Sequence, residues 1–279
     1  LFDEIKSRIK LADESLPYKD LRYEYWTKIT KEGNYSKKLR KKINSDKVEI
    51  FWDGDLEAKG KKYFNTGDLS VSNNDEYLAY STDEKGSEYF TIYVRRISDN
   101  KIIGDPIYNT SGGITWSYDD KYLFYSKLDE FHRPKKIYRH KLHTSQDEDQ
   151  LIFEEKDDKF TCAIGTSTDE KFYFITTSEH TSSEIYFFGK DEIDPNPKLF
   201  LNRLKTPRVK IPAGSVGIVE KFCNIYPYES PGGWNIIGRT PIKLFDKNKN
   251  KPTLLNPGSK VKICKISKKE FLEIQKINE

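Results

Sequence analysis

The stretch that decides the fold is ITWSYDDKYLFYS at 114–126, which recurs in altered form on either side of itself. The earlier copy is LSVSNNDEYLAYS at 69–81, and the later copy is IGTSTDEKFYFIT at 164–176. In each copy a serine precedes an acidic polar turn, and five residues after the serine an aromatic residue opens an apolar run. This pattern predicts a tight turn between two strands.

The three copies are regularly spaced along the chain. Their serines, Ser72, Ser117 and Ser167, lie 45 and then 50 residues apart. A second strand-like run follows each copy, and its aromatic residues are Tyr93, Tyr138 and Tyr186. Repeats of about 40–50 residues built from short strands are typical of β-propeller blades, which bury their faces only by stacking on neighbours.

Two further features precede the repeat. Apolar residues spaced three and four apart predict an amphipathic helix from Leu1 to about Ser15. Strand-like runs at 22–29, 37–43 and 48–52 then indicate a more divergent first blade. We therefore expect an all-β fold: a short N-terminal helix and a partial β-propeller of about four blades, followed by a small β-barrel.

Composition excludes several classes of protein. Of the 279 residues, 33% are charged and 35% are hydrophobic, and no apolar run exceeds the length of a strand. We therefore predict a cytoplasmic protein with no membrane span and no signal peptide. Interspersed positive and negative residues, 48 and 44 in number, argue against nucleic-acid binding. The basic run KKLRKK at 37–42 is interpreted as a solvated strand.

Two residue counts carry smaller predictions. The three cysteines are widely spaced, so neither disulfides nor a zinc site is expected. The sequence contains no methionine, and we expect either an altered start or a piece of a longer chain.

The residue types that dominate the sequence change after Phe188. A turn-rich segment rich in Asp, Asn and Pro predicts a linker at 191–202, between a propeller part at 1–190 and a second part at 203–279. In the second part, short runs at 216–219, 234–238, 242–245 and 260–266 predict strands of a small closed β-barrel. Residues 268–277 are expected to form a terminal helix.

The region 4–188 resembles the oligopeptidase B group of the prolyl oligopeptidase family of serine peptidases. The matching phrases are EIKSRIK at 4–10, LPYKD at 16–20, SGGITW at 111–116, HRPKKIYRHKL at 132–142 and TSSEIYF at 181–187. The resemblance implies a seven-bladed propeller that caps an α/β-hydrolase domain, screens substrates by size and serves cleavage after Lys or Arg. On this basis the chain holds the leading helix and about half of the blades.

The region 203–271 is similar to a different family, the C-terminal domain shared by KipI and the 5-oxoprolinase or allophanate hydrolase small subunit. The matching phrases are TPR at 206–208, VKIPAGSVGI at 209–218, IYPYESPGGWNIIGRTP at 225–241, LFD at 244–246 and NPGSKVK at 256–262. The resemblance implies a cyclophilin-like barrel that acts with a partner subunit. The sequence departs from that family at 220–224, where a glycine-rich segment is usual.

No catalytic residues are predicted. Ser215 has small neighbours, but no helix follows it, and all four histidines precede it, so a hydrolase triad in the usual order is impossible. His132, His140 and His143 are interpreted as blade-surface residues rather than metal ligands. We expect no metal and no cofactor.

One candidate ligand-binding set remains, in the second part of the chain. Its members are Ser230, Pro231, Gly232, Gly233, Trp234 and Arg239. Adjacent glycines permit close approach of backbone to a ligand, and an arginine grips a carboxylate with its planar fork. The alternative is a β-turn with a core tryptophan and a surface arginine.

Three hypotheses for function follow. The chain is a fused, truncated remnant of an oligopeptidase B-type peptidase that lacks the hydrolase domain, with another polypeptide supplying the missing blades and that domain. Alternatively it is a binding subunit that meets a 5-oxoprolinase-type partner through its C-terminal domain. The third hypothesis is a decaying gene product without a function.

Overall fold

A computed structural model describes residues 1–10, 12–180, 182–203, 208–219 and 222–278. Strands dominate these ranges, which also contain three short α-helices: α1 Phe2–Ser7, α2 Gly54–Ala58 and α3 Lys268–Asn278. A 3₁₀ turn occupies Gln146–Glu148. None of the described helices is long and apolar enough to cross a membrane.

Helix α1 is shorter than the sequence predicted. It ends at Ser7, no residue in it is buried, and the chain is already in a strand at Asp13. Short helices are marginal unless an apolar face packs against another element, and here Phe2 and Ile5 stay exposed. The apolar residues of the amphipathic pattern therefore have no neighbouring surface to pack against, and the helix ends early.

Blade 1 is the first sheet of the chain. Its strands are β1 Asp13–Glu14, β2 Tyr18–Asp20, β3 Tyr23–Ile29, β4 Lys37–Lys42 and β5 Val48–Asp53. Strands β3, β4 and β5 pair in sequence order, and both β1 and β2 pair with β3. The basic run forms β4, where cations have carboxylate partners: Lys37 with Asp53, Arg40 with Glu49 and Lys41 with Glu24.

Blades 2 and 3 are two antiparallel units of four strands. Blade 2 contains β6 Asn65–Val71, β7 Tyr77–Asp83, β8 Phe90–Arg96 and β9 Ile107–Thr110. Blade 3 contains β10 Thr115–Trp116, β11 Tyr122–Leu128, β12 Pro134–Lys141 and β13 Gln150–Glu154. A single pairing between Thr110 and Lys127 joins the two blades into one eight-stranded sheet.

Blade 4 extends further along the chain than the sequence indicated. Its strands are β14 Thr161–Thr166, β15 Phe172–Ser178, β16 Ser183–Gly189 and β17 Lys198–Leu201. Strand β17 lies inside 191–202, the segment interpreted as a linker, and Leu201 pairs with Ile185 of β16. The turn-rich residues before β17 thus connect two strands of one blade, while the boundary between the two parts of the chain stays a prediction.

The repeated serine phrase forms the hairpin between the first two strands of blades 2, 3 and 4. In blade 3, Ser117 Oγ accepts a hydrogen bond from the Tyr122 N–H at 2.9 Å and donates one to Asp119 Oδ1 at 2.8 Å. Asp120 completes the turn with a φ of 56°. Equivalent side-chain bonds occur at Ser72 and Ser167. The partial propeller of four blades is confirmed, and this hairpin is its repeating element.

Alternating side chains place an apolar core between each pair of successive blades. Leu78 and Tyr80 of β7 pack toward blade 1, whereas Ala79 packs toward blade 3. In the same way Tyr125 of β11 packs toward blade 2, and Phe124 packs toward blade 4. Opposite faces of one strand therefore belong to two different cores, because successive side chains of a strand point to opposite sides of the sheet.

The C-terminal module, defined as residues 208–219 and 222–278, forms two small antiparallel sheets. Its strands are β18 Arg208–Ile211, β19 Ser215–Val219, β20 Phe222–Ile225, β21 Ser230–Gly232 and β22 Asn235–Arg239. Strand β18 pairs with β21, and β19 lies between β20 and β22. The terminal helix is confirmed as α3.

The closed barrel expected from the sequence does not form in the described residues of this module. Residues 242–245 contribute only an isolated bridge between Phe245 and Thr253, and 260–266 contain no strand. Val261, Ile263 and Ile266 remain exposed. An alternating pattern shows that a segment can be a strand, but closure also needs a neighbouring strand to pair with it.

Candidate functional site

The candidate ligand-binding residues lie on two strands of different sheets. Ser230, Pro231 and Gly232 form β21, where Ser230 pairs with Ile211 and Gly232 with Arg208. Arg239 ends β22 and pairs with Ser215. Gly233 and Trp234 connect the two strands. The structure therefore separates the glycine pair from the arginine by the length of β22.

Gly232 packs inside the module. A Cβ atom at Gly232 would lie 2.6 Å from Cδ1 of Ile211 and would also overlap the Tyr226 hydroxyl. Trp234 is half-buried, and its carbonyl accepts a hydrogen bond from Arg208 Nη1 at 2.9 Å. The close approach that Gly232 permits is thus to the side chains of Tyr226 and Ile211.

Arg239 lies beside a cavity of about 420 Å³. Its Nε donates to the Ala213 carbonyl at 2.8 Å, which fixes the guanidinium at the cavity edge. The other lining residues come from the turn before β19, from the loop after β20, from 240–245 and from α3; the aromatic ones are Tyr226, Tyr228, Phe245 and Phe271. Of the six candidate residues, Arg239 alone lines this cavity.

The remaining charges around the cavity are largely paired with each other. Lys243 lies 3.2 Å from Asp246, and Glu229 lies 2.9 Å from Lys210. The backbone N–H of Asn248 and then the Lys243 ammonium hold the pKa of Asp246 below its usual range. Arg239 is consequently the cation best placed to meet an anionic group in this cavity.

The residues considered for catalysis do not assemble into a catalytic site. Ser215 is only 2% exposed at the start of β19. His140 is buried in blade 3 and not on the blade surface as the sequence indicated, with its Nδ1 2.7 Å from Asp149 Oδ1. Across the described ranges, no three His, Cys, Asp or Glu side chains are close enough to hold a metal ion. Of the segment 220–224, residues 220 and 221 lie outside the described residues, and the rest form most of β20.

A charged cluster at the end of blade 4 was not predicted from the sequence. The Arg203 guanidinium lies 2.7 Å from Glu155, 3.1 Å from Glu184 and 3.4 Å from Asp157. It also lies 3.6 Å from the ring centre of Phe160. Glu184 and Glu155 lie 19 and 48 residues away in sequence, so no local pattern indicates the cluster.

An uncharged groove on the free face of blade 4 was also not predicted. A cavity of about 860 Å³ runs along β14, between that strand and Phe174, Ile185 and Phe200, with Ile218 of β19 at its rim. None of its lining residues is Asp, Glu, Lys or Arg. Alignment of the three repeat copies would have indicated this face, because Phe174 is the counterpart of the buried Phe124.

Comparison with known proteins matches the two parts of the chain to two families. Residues 1–211 match the family described as prolyl oligopeptidase, N-terminal beta-propeller domain. The chain belongs to this family. Residues 191–255 match the carboxyltransferase domain, subdomain C and D, so the two matches overlap at 191–211.

Individual relatives follow the same division. Dipeptidyl aminopeptidase BI of Pseudoxanthomonas mexicana is 30% identical over 202 residues, which is 66% of this chain and 28% of that protein. A 5-oxoprolinase subunit of Bacillus subtilis (strain 168) is 49% identical over 69 residues, which is 25% of this chain and 29% of that protein. The chain therefore spans less than a third of the length of these relatives.

A solved structure agrees with the first match. Oligopeptidase B from Leishmania major superposes with a TM-score of 0.70 and 26% identity, covering 77% of this chain and 31% of that one. The protein thus combines part of the propeller of these peptidases with a C-terminal part similar to a 5-oxoprolinase subunit.

Proposed function

We propose that this chain supplies part of the peptide-gating propeller of an oligopeptidase B-type serine peptidase and none of its catalytic groups. The observation that carries the proposal is the stack of four blades with a buried apolar core between each successive pair. Such a stack is a rigid scaffold that restricts access to a site held elsewhere. The burial of Ser215 supports a non-catalytic role.

Complementation tests this proposal. The chain is mixed with the part of Leishmania major oligopeptidase B that it does not match, and hydrolysis of a short arginine-containing peptide is measured. We expect no hydrolysis by the chain alone and faster hydrolysis by the mixture than by the second component alone, because the added blades stabilise the incomplete propeller that holds the site. Hydrolysis by the purified chain that disappears in Ser215→Ala contradicts the proposal.

A second candidate function is supported by the position of Arg239. A guanidinium fixed at the edge of a half-apolar cavity suits a small carboxylic acid, because its planar fork donates two parallel hydrogen bonds to a carboxylate. The similarity to a 5-oxoprolinase subunit makes 5-oxoproline the acid to test.

Calorimetric titration of the chain with 5-oxoproline is the measurement. Arg239→Gln is expected to reduce the affinity at least tenfold, because hydrogen bonds between ions are the stronger ones. Arg8→Gln, which removes an exposed guanidinium that follows α1, is the matched control and should leave binding unchanged. Equal affinities for the two variants contradict this assignment.

A further inference from the structure

The free face of blade 4 repeats the features by which blades 2 and 3 bind their next neighbour. At one position of the repeat, Ala79 and Phe124 are almost completely buried by the following blade. Their counterpart Phe174 is only half-buried, and it clusters with Phe187 and Phe200. Since Tyr173 and Ile175 on either side of it pack on blade 3, Phe174 points to the opposite side of the sheet.

A second position of the repeat indicates which element packs against such a face. Ser81 Oγ of blade 2 donates to the Gly112 carbonyl at 2.7 Å, just before β10, the first strand of blade 3. Ser126 Oγ of blade 3 donates to the Cys162 carbonyl of β14, the first strand of blade 4, at 3.2 Å. In both cases a hydroxyl on the second strand of one blade holds backbone in, or just before, the first strand of the next blade.

Thr176 is the third member of this series. It pairs with Ala163, and both residues line the uncharged groove. Within the described ranges its hydroxyl has no hydrogen-bond partner, unlike those of Ser81 and Ser126. The groove therefore presents a donor where the two earlier blades use one to hold a strand.

We propose that the free face of blade 4 is a docking surface for the first strand of a further propeller sheet carried by another polypeptide. That strand lies along the groove, its backbone carbonyl accepts from Thr176, and its apolar side chains cover Phe174 and Phe200. This inference rests on the proposed function and names the surface through which the partner binds.

The charge distribution favours this occupant over a second copy stacked head to tail. The free face of blade 1, opposite the side on which Tyr25 packs, carries Glu24 in ion pairs with Lys19 and Lys41. Pressing these charges against a groove without any charged lining residue would remove them from water, a cost that their attraction for one another offsets only in part. An uncharged strand has no such cost.

The experiment measures complex formation rather than hydrolysis. The full chain is titrated with the non-matching part of Leishmania major oligopeptidase B, and binding is followed by biolayer interferometry. Phe174→Asp is expected to weaken binding at least tenfold, because it buries a charge at the centre of the interface. Phe131→Asp is the matched control, since Phe131 is 67% exposed on the hairpin between β11 and β12, and should bind as the parent does.

Thr176→Val is the second variant, which keeps the shape and strand propensity of the side chain. Loss of one hydrogen bond should weaken binding about fivefold, whereas Thr253→Val on the exposed part of the module should have no effect. Unchanged near-ultraviolet circular dichroism shows that each variant remains folded.

The outcomes separate the two proposals. Binding that Phe174→Asp and Thr176→Val weaken, without any hydrolysis, supports the docking surface and contradicts the proposed function. Hydrolysis by the mixture that both variants leave unchanged supports the proposed function and contradicts the docking surface. No binding at tens of micromolar, or a dimer of the chain alone that Phe174→Asp dissociates, overturns the docking surface.

Discussion

At the scale of single residues, Asp149 joins two buried side chains of blade 3. Its carboxylate lies 2.7 Å from His140 Nδ1 and accepts a hydrogen bond from the Tyr125 hydroxyl at 2.8 Å. Asp149→Ala leaves both groups buried without this partner, so we expect the free energy of unfolding to fall by about 3 kcal/mol. Urea denaturation measures the change.

The control for this prediction is Asp147→Ala, an exposed carboxylate in the neighbouring 3₁₀ turn. It should change the free energy of unfolding by less than about 0.5 kcal/mol, as is usual for surface substitutions. Equal losses for the two variants would show that the buried contacts of Asp149 are not what stabilises blade 3.

A pH dependence is expected at Asp83, the last residue of β7. Burial alone would raise the pKa of this carboxyl group, but hydrogen bonds from the backbone N–H groups of Lys85, Glu88 and Gly86 and from the Ser87 hydroxyl hold the pKa below its usual range. The folded protein therefore favours the carboxylate more than the unfolded chain does.

The stability from Asp83 is fully present above the pKa of its carboxyl group in the unfolded chain, about 4, and is lost as the pH falls through the lower folded value. Urea midpoints measured from pH 6 to pH 2 should drop more steeply for the parent than for Asp83→Asn. Parallel curves for the two proteins would refute this assignment.

At the scale of elements, we expect loss of the serine in the repeated hairpin to lower stability by different amounts in different blades. Ser117→Ala removes, at a buried serine, an acceptor from the Tyr122 N–H and a donor to Asp119, so we expect a loss of about 1–2 kcal/mol. Ser167→Ala makes the same change in the more exposed hairpin of blade 4, where water replaces the lost bonds. Thermal denaturation should show the larger effect for Ser117→Ala.

The elements that the sequence predicts best are those whose motif also contains the residues that form the turn. The three serine phrases indicated the hairpins of blades 2 to 4, because their turn bonds lie within five residues of each other. Segment 260–266 has the alternation of a strand but pairs with nothing in the described residues. Pairing depends on distant segments, which local pattern does not report.

The same dependence on distant segments limited the prediction of the candidate ligand-binding site. Gly232 and Gly233 indicated a close approach of backbone, and the structure has such an approach, but to Tyr226 and Ile211. A glycine indicates that a close contact is needed at its position, but it does not identify the atoms that make the contact. Arg239 was found from its chemistry, whereas its cavity depends on α3, much further along the chain.

At the scale of the whole molecule, the two parts of the chain have separate cores. The three clusters between blades contain no described residue beyond Phe188. The module has its own buried side chains, among them Ile211, Val216 and Tyr226. A stack of blades transmits destabilisation between neighbours, because each blade is stabilised mainly by the faces of the next.

Local destabilisation should therefore spread within one part of the chain and stop before the other. Leu123→Ala opens a cavity in the core between blades 2 and 3, where Leu123 is completely buried, and should cost about 3 kcal/mol. Val216→Ala makes a comparable change in β19. Hydrogen exchange should accelerate across blades 2 and 3 in the first variant and only at 208–278 in the second. Faster exchange throughout the chain in both variants would mean that the propeller and the module unfold as one cooperative unit.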